Sequence, residues 1–376
     1  MIHEAGCRGR QFAGRRLPWL WAALTLAACG DGSTTGPVDT PGADVYVLNS
    51  TGQTLLGVSV DDGLAAVGLP FDLGGAFDGD AVDLSVTHAV TTVSSFGGSL
   101  AVFVDLSSGA MTTTAFPRPE ADLANPSAPT FDATGAAWIG GRGSDAVYRV
   151  RPGDLEAERV AEGVGTFVER VLPINGRLYA IDANLDDDGG TYIPLGPGRV
   201  VVLTAAGMPE TVLDLPAEAL NPTDAVQAEG RLIVLAGGTL DPGTFVPRGD
   251  GALVEIDLAS GEVLSSRMLD GNGISIERGG DGKVYVVTTT DFVSTTVLRY
   301  DVASRSFERG PADPIVVQDE AGESVSCWTA TGLADGRLLC ATFSFAEAGR
   351  LLLTDAGGGF VDEMPSGFGT TDLALR

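Results

Sequence analysis

Lysine is almost missing from this chain. Lys283 is the only one, and Lys and Arg together number 23 against 50 Asp and Glu. The resulting net charge of −27 lacks the clustered positive charge that phosphate neutralisation needs, which excludes a general nucleic-acid binder. Histidine is nearly absent too: with 2 in 376 residues, a multi-histidine metal centre is excluded. No Gly-x-Ser-x-Gly elbow marks a nucleophile for the internal histidine, His88, to serve, and His88 reads as a turn or edge residue. Long apolar runs are also lacking. Leu17–Ala28 spans 12 residues, short of the ~20 needed to cross a bilayer.

What remains is apolar and turn-rich. Apolar residues make up 44% and charged residues only 19%, too hydrophobic for a disordered chain. Glycine, at 52 residues, accompanies abundant Val, Thr and Ser, a composition of short strands and tight turns.

The N-terminus reads as an address. Arg8, Arg10, Arg15 and Arg16 precede the short apolar run, as in a signal peptide. Leu26-Ala27-Ala28-Cys29 then resembles the bacterial lipobox. The resemblance implies that residues 1–28 are removed and that Cys29 is lipidated as the first mature residue, giving an exported protein anchored to the cell envelope, at the outer membrane or cell surface. Acyl chains at roughly 0.8 kcal/mol per buried CH₂ hold such a domain firmly. An acidic surface repels anionic headgroups, so the lipid and not charge would be the anchor. Arg15-Arg16 also invites a twin-arginine reading, but Pro18-Trp19 stands where that motif wants Phe-Leu. Residues 29–43 are the lipidated cysteine and a Gly/Ser/Thr/Pro-rich tether, with a reach of roughly 20 Å.

From Asp44 to the end, one unit repeats. A turn closing in Gly and leading into a strand recurs at Gly135, Gly176, Gly230, Gly282 and Gly336, spaced 41, 54, 52 and 54 residues apart. Each is followed by another strand and a hairpin turn, as in Val104-Asp105-Leu-Ser-Ser-Gly109, Ile256-Asp257-Leu-Ala-Ser-Gly261 and Tyr300-Asp301-Val-Ala-Ser-Arg305. No stretch shows a helical period. Four short strands per ~40–50 residues is the repeat of a β-propeller. Second strands starting near Val45, Ala89, Ala136, Arg177, Arg231, Lys283 and Arg337 give seven blades over residues 44–376. The body opens on a second strand, so Gly367–Arg376 must supply the inner strand of blade one and close the ring. The expected fold is all-β: a seven-bladed propeller of four-stranded antiparallel blades. The pattern resembles the YVTN/YncE-type and NHL-like propellers of secreted bacterial proteins. That resemblance specifies architecture and leaves activity open.

Long, irregular second-to-third-strand loops in blades four and five and an acidic connection into blade seven share one end of the expected ring, the natural place for a partner. Tyr192, Phe245, Asp250, Asp291 and Phe292 are the ligand-facing candidates there, with aromatics suited to sugar rings or peptide side chains. Asn184-Leu-Asp186-Asp-Asp188-Gly189 resembles the start of a Ca²⁺ loop, with Asp182 as a further oxygen; Leu195 stands where the loop needs a bidentate Glu. Those four residues are either a Ca²⁺ site or a solvated acidic loop. Cys327 and Cys340 fall on the expected first and second strands of blade seven, either as a cross-strand disulfide favoured by export or as buried thiols.

The expectation is a monomeric, non-catalytic binding or assembly scaffold with no assigned catalytic residue, meeting a protein or carbohydrate on the long-loop end. The alternative is a divalent-metal-dependent hydrolase or lactonase at the channel mouth. There, Asp182, Asn221, Asp224 and Asp291 would stand in for the Glu, Asn and Asp of gluconolactonase-type propellers.

Overall fold

The computed structural model describes residues 42–376 apart from 75–78, 94–98, 118–124, 187–192 and 345, and of Asp80 it describes the backbone alone. The signal segment, Cys29 and most of the tether lie outside the described residues.

Seven antiparallel sheets follow one another along the chain, joined by a separate two-stranded ribbon inside blade four. Blades two to seven have their inner strands at Gly79–Leu84, Thr130–Phe131, Val168–Ile174, Pro222–Ala228, Asn272–Arg278 and Thr329–Gly332. Blade one takes its inner strand from the C-terminus: Thr370–Leu375 pairs with Val45–Asn49, Val45 opposite Leu375 and Val47 opposite Leu373. Each inner strand lies against that of the next blade, and blade seven's lies against Thr370–Leu375, so the ring closes as expected. Blade one alone departs from the four-strand pattern. Its outer strand is two short pieces, Ala65–Ala66 and Phe71–Asp72, both paired with Thr54–Ser59.

The turn chemistry explains the repeats. Ile174 and Arg177 face each other across the two-residue turn Asn175-Gly176, at φ +52° and +78°. Both positive values fit the twist of a hairpin, and Asn and Gly are the residues that adopt them at least cost. Asp105 and Asp257 each accept two backbone N–H groups ahead of them in the next hairpin turn of their blades.

Seven apolar clusters fill the spaces between adjacent blades. One example joins blades four and five through Ile181, Val200, Leu232 and Val254, all wholly buried. Each such side chain contributes roughly 1.5–3 kcal/mol on leaving water. A lone blade would expose both faces, so the interfaces hold the ring together.

Cys327 and Cys340 form a disulfide, with Cα atoms 5.5 Å apart. Cys327 stands two residues before the inner strand of blade seven, not on it, while Cys340 lies within Leu338–Ala341.

Candidate functional site

All inner strands run the same way, so their N-terminal ends meet the long loops and their C-terminal ends meet the tight turns. The channel they surround holds a cavity of about 410 Å³. Its wall is built from the C-terminal halves of those strands, including Leu84, Ile174, Gln227, Arg278 and Leu375. The cavity therefore opens on the tight-turn end, opposite the long loops. The first strand of the propeller starts there too, since the Arg376 N–H donates to the Asp44 carbonyl at 2.9 Å.

A belt of polar contacts runs through the channel wall from blade one to blade five. Asp372 of blade one accepts the Val82 N–H of blade two at 2.8 Å, and Asp83 accepts the Phe131 N–H of blade three at 2.6 Å. Arg170 of blade four donates from Nε to Thr130 of blade three at 3.2 Å. Its Nη1 donates to both oxygens of Asp224 in blade five, at 2.8 and 3.0 Å. Glu277 of blade six lines the same cavity as Asp372.

Burial pushes the Asp83 and Asp224 carboxyls above their ordinary range, although the Phe131 N–H and Arg170 respectively pull the other way. Glu277 lies well above its range, through burial first and then the charge of Asp372. Asp372 is pushed up to about 6, chiefly by burial. Sequence reading missed this belt. Its signal was a charged residue set into five of the seven inner strands, as in Ala-Val-Asp83-Leu, Pro-Thr-Asp224-Ala and Thr-Thr-Asp372-Leu.

At the other end, the loop after Asp182 is held from within. Asp182 is wholly buried and lies opposite Arg199 in the strand register. One of its oxygens accepts the N–H groups of Thr166, Phe167 and Asn184, all at 3.1 Å, and the other accepts Arg199 Nε at 3.0 Å. Asn184, at φ +53°, donates its side-chain amide to the Pro197 carbonyl at 2.9 Å. Leu185–Asp186 pairs with Ile193–Pro194 as a small ribbon. Asp188 and Tyr192 lie outside the described residues. Among the described residues, no group of three or more His, Cys, Asp or Glu side chains is arranged to hold a metal ion.

Asp250 and Asp291 shape the neighbouring loops. Asp250 accepts the N–H and hydroxyl of Thr239, both at 2.6 Å. Asp291 accepts the N–H groups of Val293 and Ser294 at 2.8 and 2.6 Å, which hold its carboxyl below the usual range. These turns lift two aromatics into solvent. Phe245 is 70% exposed and Phe292 47% exposed, with backbone φ of +56° and +60°. Bulky residues avoid that region, because Cβ crowds the following carbonyl. Asn221 also sits at φ +51°, with its amide on the Gly238 carbonyl at 3.3 Å. His88, as expected, opens a strand beside a turn, its Nδ1 2.8 Å from the Thr87 hydroxyl.

No protein-family model matches the chain, and no curated protein does either. Solved structures do. A streptogramin B lyase aligns at TM-score 0.54 and 13% identity, over 81% of this chain and 93% of its own. A Lactobacillus plantarum protein gives 0.54 at 11% identity, over 88% and 98%. The dihydro-heme d1 dehydrogenase NirN, in complex with DHE, gives 0.53 at 12%, over 87% and 67%. The shared feature is the propeller. At such identities the likeness is one of fold alone.

Proposed function

We propose that this chain is an exported propeller, lipid-anchored through Cys29 to the bacterial envelope, that acts as a non-catalytic binding or assembly scaffold through its long-loop end. One observation carries the reading: Phe245 and Phe292, on adjacent blades, are held in solvent by left-handed backbone that a bulky side chain adopts only at a cost. Strain of roughly 1–3 kcal/mol persists where the surroundings enforce it and is concentrated at functional positions. Val293 beside Phe292 is 75% exposed and extends the apolar crest. Exposed aromatic anchors of this kind supply the centre of a binding surface.

Two further facts favour this reading. The propeller's first strand starts at the opposite end, at Asp44, so a ring tethered ahead of it can present the crest away from the membrane. The residues suited to a metal-dependent hydrolase are already engaged: Asp182 by Arg199 and three N–H groups, Asp224 by Arg170, Asp291 by its own turn.

The test uses the full lipidated protein in its own envelope. A photo-crosslinking residue at Val293 should yield a discrete adduct that disappears in the Phe245→Ala/Phe292→Ala variant. The same probe at Leu155, 91% exposed in the third-to-fourth-strand turn of blade three, should not form it. Equal adducts from both positions would sink the proposal. Cys29→Ala should move the protein from the membrane to the soluble fraction.

A further inference from the structure

In every blade the inner strand ends the sheet, pairing on one side only, so its other edge is left to the channel. In an antiparallel ladder the N–H and C=O of one residue point the same way. Several of these edge N–H groups are already engaged. Asp372 accepts those of Val82 and Leu373, both at 2.8 Å, while Asp83 accepts that of Phe131 and Asp224 that of Ala225, both at 2.6 Å. The chain's own carboxylates thus take up donors, and the wall keeps carbonyl and carboxylate oxygens, which only accept.

Charge leans the same way. Among the described residues, the charged side chains lining the 410 Å³ cavity are Asp83, Asp224, Glu277 and Asp372 against Arg170 and Arg278. Four carboxylates against two guanidiniums leave an excess of two negative charges when all are ionised. Arg170 is held by Asp224, and Arg278 stands exposed at the tight-turn rim. No hydrogen bond from an N–H and no ion pair reaches Glu277 among the described residues. Burial opposes charge on these carboxyls, and a cation among them offsets that penalty.

Depth divides the carboxyls. The inner strands run toward the tight-turn end, so distance from a strand's C-terminus measures depth. Asp83 and Glu277 are next to last on their strands, whereas Asp372 lies three residues and Asp224 four residues from the end. At ~3.3 Å per residue the two levels stand roughly 7–10 Å apart. That spread suits spaced positive charges better than one bare ion. Among the described residues, no three acidic side chains converge as a metal ion requires.

We propose that the channel cavity binds a linear aliphatic polyamine entering from the tight-turn end, with one ammonium between Glu277 and Asp83 and another near Asp372. An alkylammonium group offers three donors and no acceptor, the complement of this wall. The volume falls within the ~300–1,000 Å³ of small-molecule sites. The site lies at the opposite end from the aromatic crest and does not depend on it.

Calorimetric titration of the purified full-length protein with spermidine tests this, at about 0.15 M salt to screen diffuse attraction to an acidic surface. One spermidine should bind per chain. Propylamine, with a single ammonium, should bind about tenfold more weakly or worse. Glu277→Gln should weaken spermidine by a similar factor, because it removes a charge that holds nothing else in place. Gln227→Trp is the second variant: it narrows the mouth from an exposed rim position and leaves the charge unchanged. It too should weaken binding, whereas Glu320→Gln/Glu323→Gln, which removes two exposed charges from the connection into blade seven, should not. Absence of saturable spermidine binding would overturn the proposal, as would propylamine binding equally well. So would a loss in the Glu320/Glu323 variant as large as in Glu277→Gln, or full binding in both channel variants.

Discussion

Arg170 donates from one nitrogen, Nη1, to both carboxylate oxygens of Asp224, at 2.8 and 3.0 Å, joining blade four to blade five inside the channel. Neither side chain is fully buried; the exposures are 15% and 21%. The pair is the best-matched piece of a belt otherwise rich in carboxyls. Removing the cation leaves Asp83, Asp224, Glu277 and Asp372 with each other's charge. Arg170→Met should therefore destabilise by about 3–5 kcal/mol. Arg170→Met/Asp224→Leu should recover part of that loss, because a shape-matched apolar pair leaves fewer charges stranded. Denaturant unfolding of the four proteins of the cycle checks this. Simple additivity of the two substitutions would show that the pair is not coupled.

Asn49 is the latch on the other side of the closing strand. Its amide oxygen accepts the Thr370 hydroxyl at 2.8 Å, and its nitrogen donates to the Ser366 carbonyl at 2.8 Å and the Thr54 hydroxyl at 3.2 Å. Asn49→Ala strands buried partners on both strands and should cost about 2–3 kcal/mol. Amide exchange in Thr370–Leu375 should quicken more than exchange in Val168–Ile174. A uniform change across both strands would place the effect elsewhere.

The disulfide closes a loop with a sequence separation of 13. Chain entropy for a loop of that size gives about 3 kcal/mol. Cys327→Ala/Cys340→Ala should lower the unfolding midpoint accordingly. Reductant should bring the wild type down to the variant and leave the variant unmoved. A wild-type midpoint that ignores reductant would show that the bond contributes nothing.

The fold was readable because its signals are local. Asn175-Gly176 and Glu229-Gly230 dictate hairpins from within two residues, and longer turns closing in Gly135, Gly282 and Gly336 mark the same place in other blades, so that the units can be counted. The closing strand was readable by elimination, since Val45–Asn49 needed an inner neighbour. The channel belt was not readable. Asp83, Arg170, Glu277 and Asp372 are separated by scores of residues and meet only after closure. Asp182 misled for a related reason: as a loop carboxylate it suits a cation, but register places Arg199 opposite it, so the cation it binds is a guanidinium. Phe245 and Phe292 were legible as loop aromatics, whereas their left-handed backbone was not.

Thr91 is an imperfection the ring tolerates. Its side chain is buried between blades one and two, beside Leu48, Leu55 and Val102, and among the described residues its hydroxyl has no hydrogen-bond partner. An unpaired buried hydroxyl loses its water without compensation, so Thr91→Val, nearly the same shape, should raise stability by about 1 kcal/mol. A fall in the unfolding midpoint would mean that the hydroxyl is satisfied.

Phe245 separates strain kept for binding from strain kept for folding. At 70% exposure its ring packs on little, so truncation forfeits little burial. Its φ of +56° costs about 1–2 kcal/mol for a residue with a Cβ and almost nothing for glycine. The greater freedom of glycine in the unfolded chain takes back roughly half or more of that gain. Phe245→Gly should therefore hold or slightly raise the unfolding midpoint, while Phe245→Ala, which retains the backbone strain, should not raise it. Both should weaken the crosslink from position 293, because both remove the ring. If Phe245→Gly instead lowers the midpoint by more than about 1 kcal/mol, the aromatic packs structurally and the crest loses its argument as a docking surface. A raised midpoint together with a lost adduct is the signature of a side chain retained at a cost to the fold for the sake of a partner.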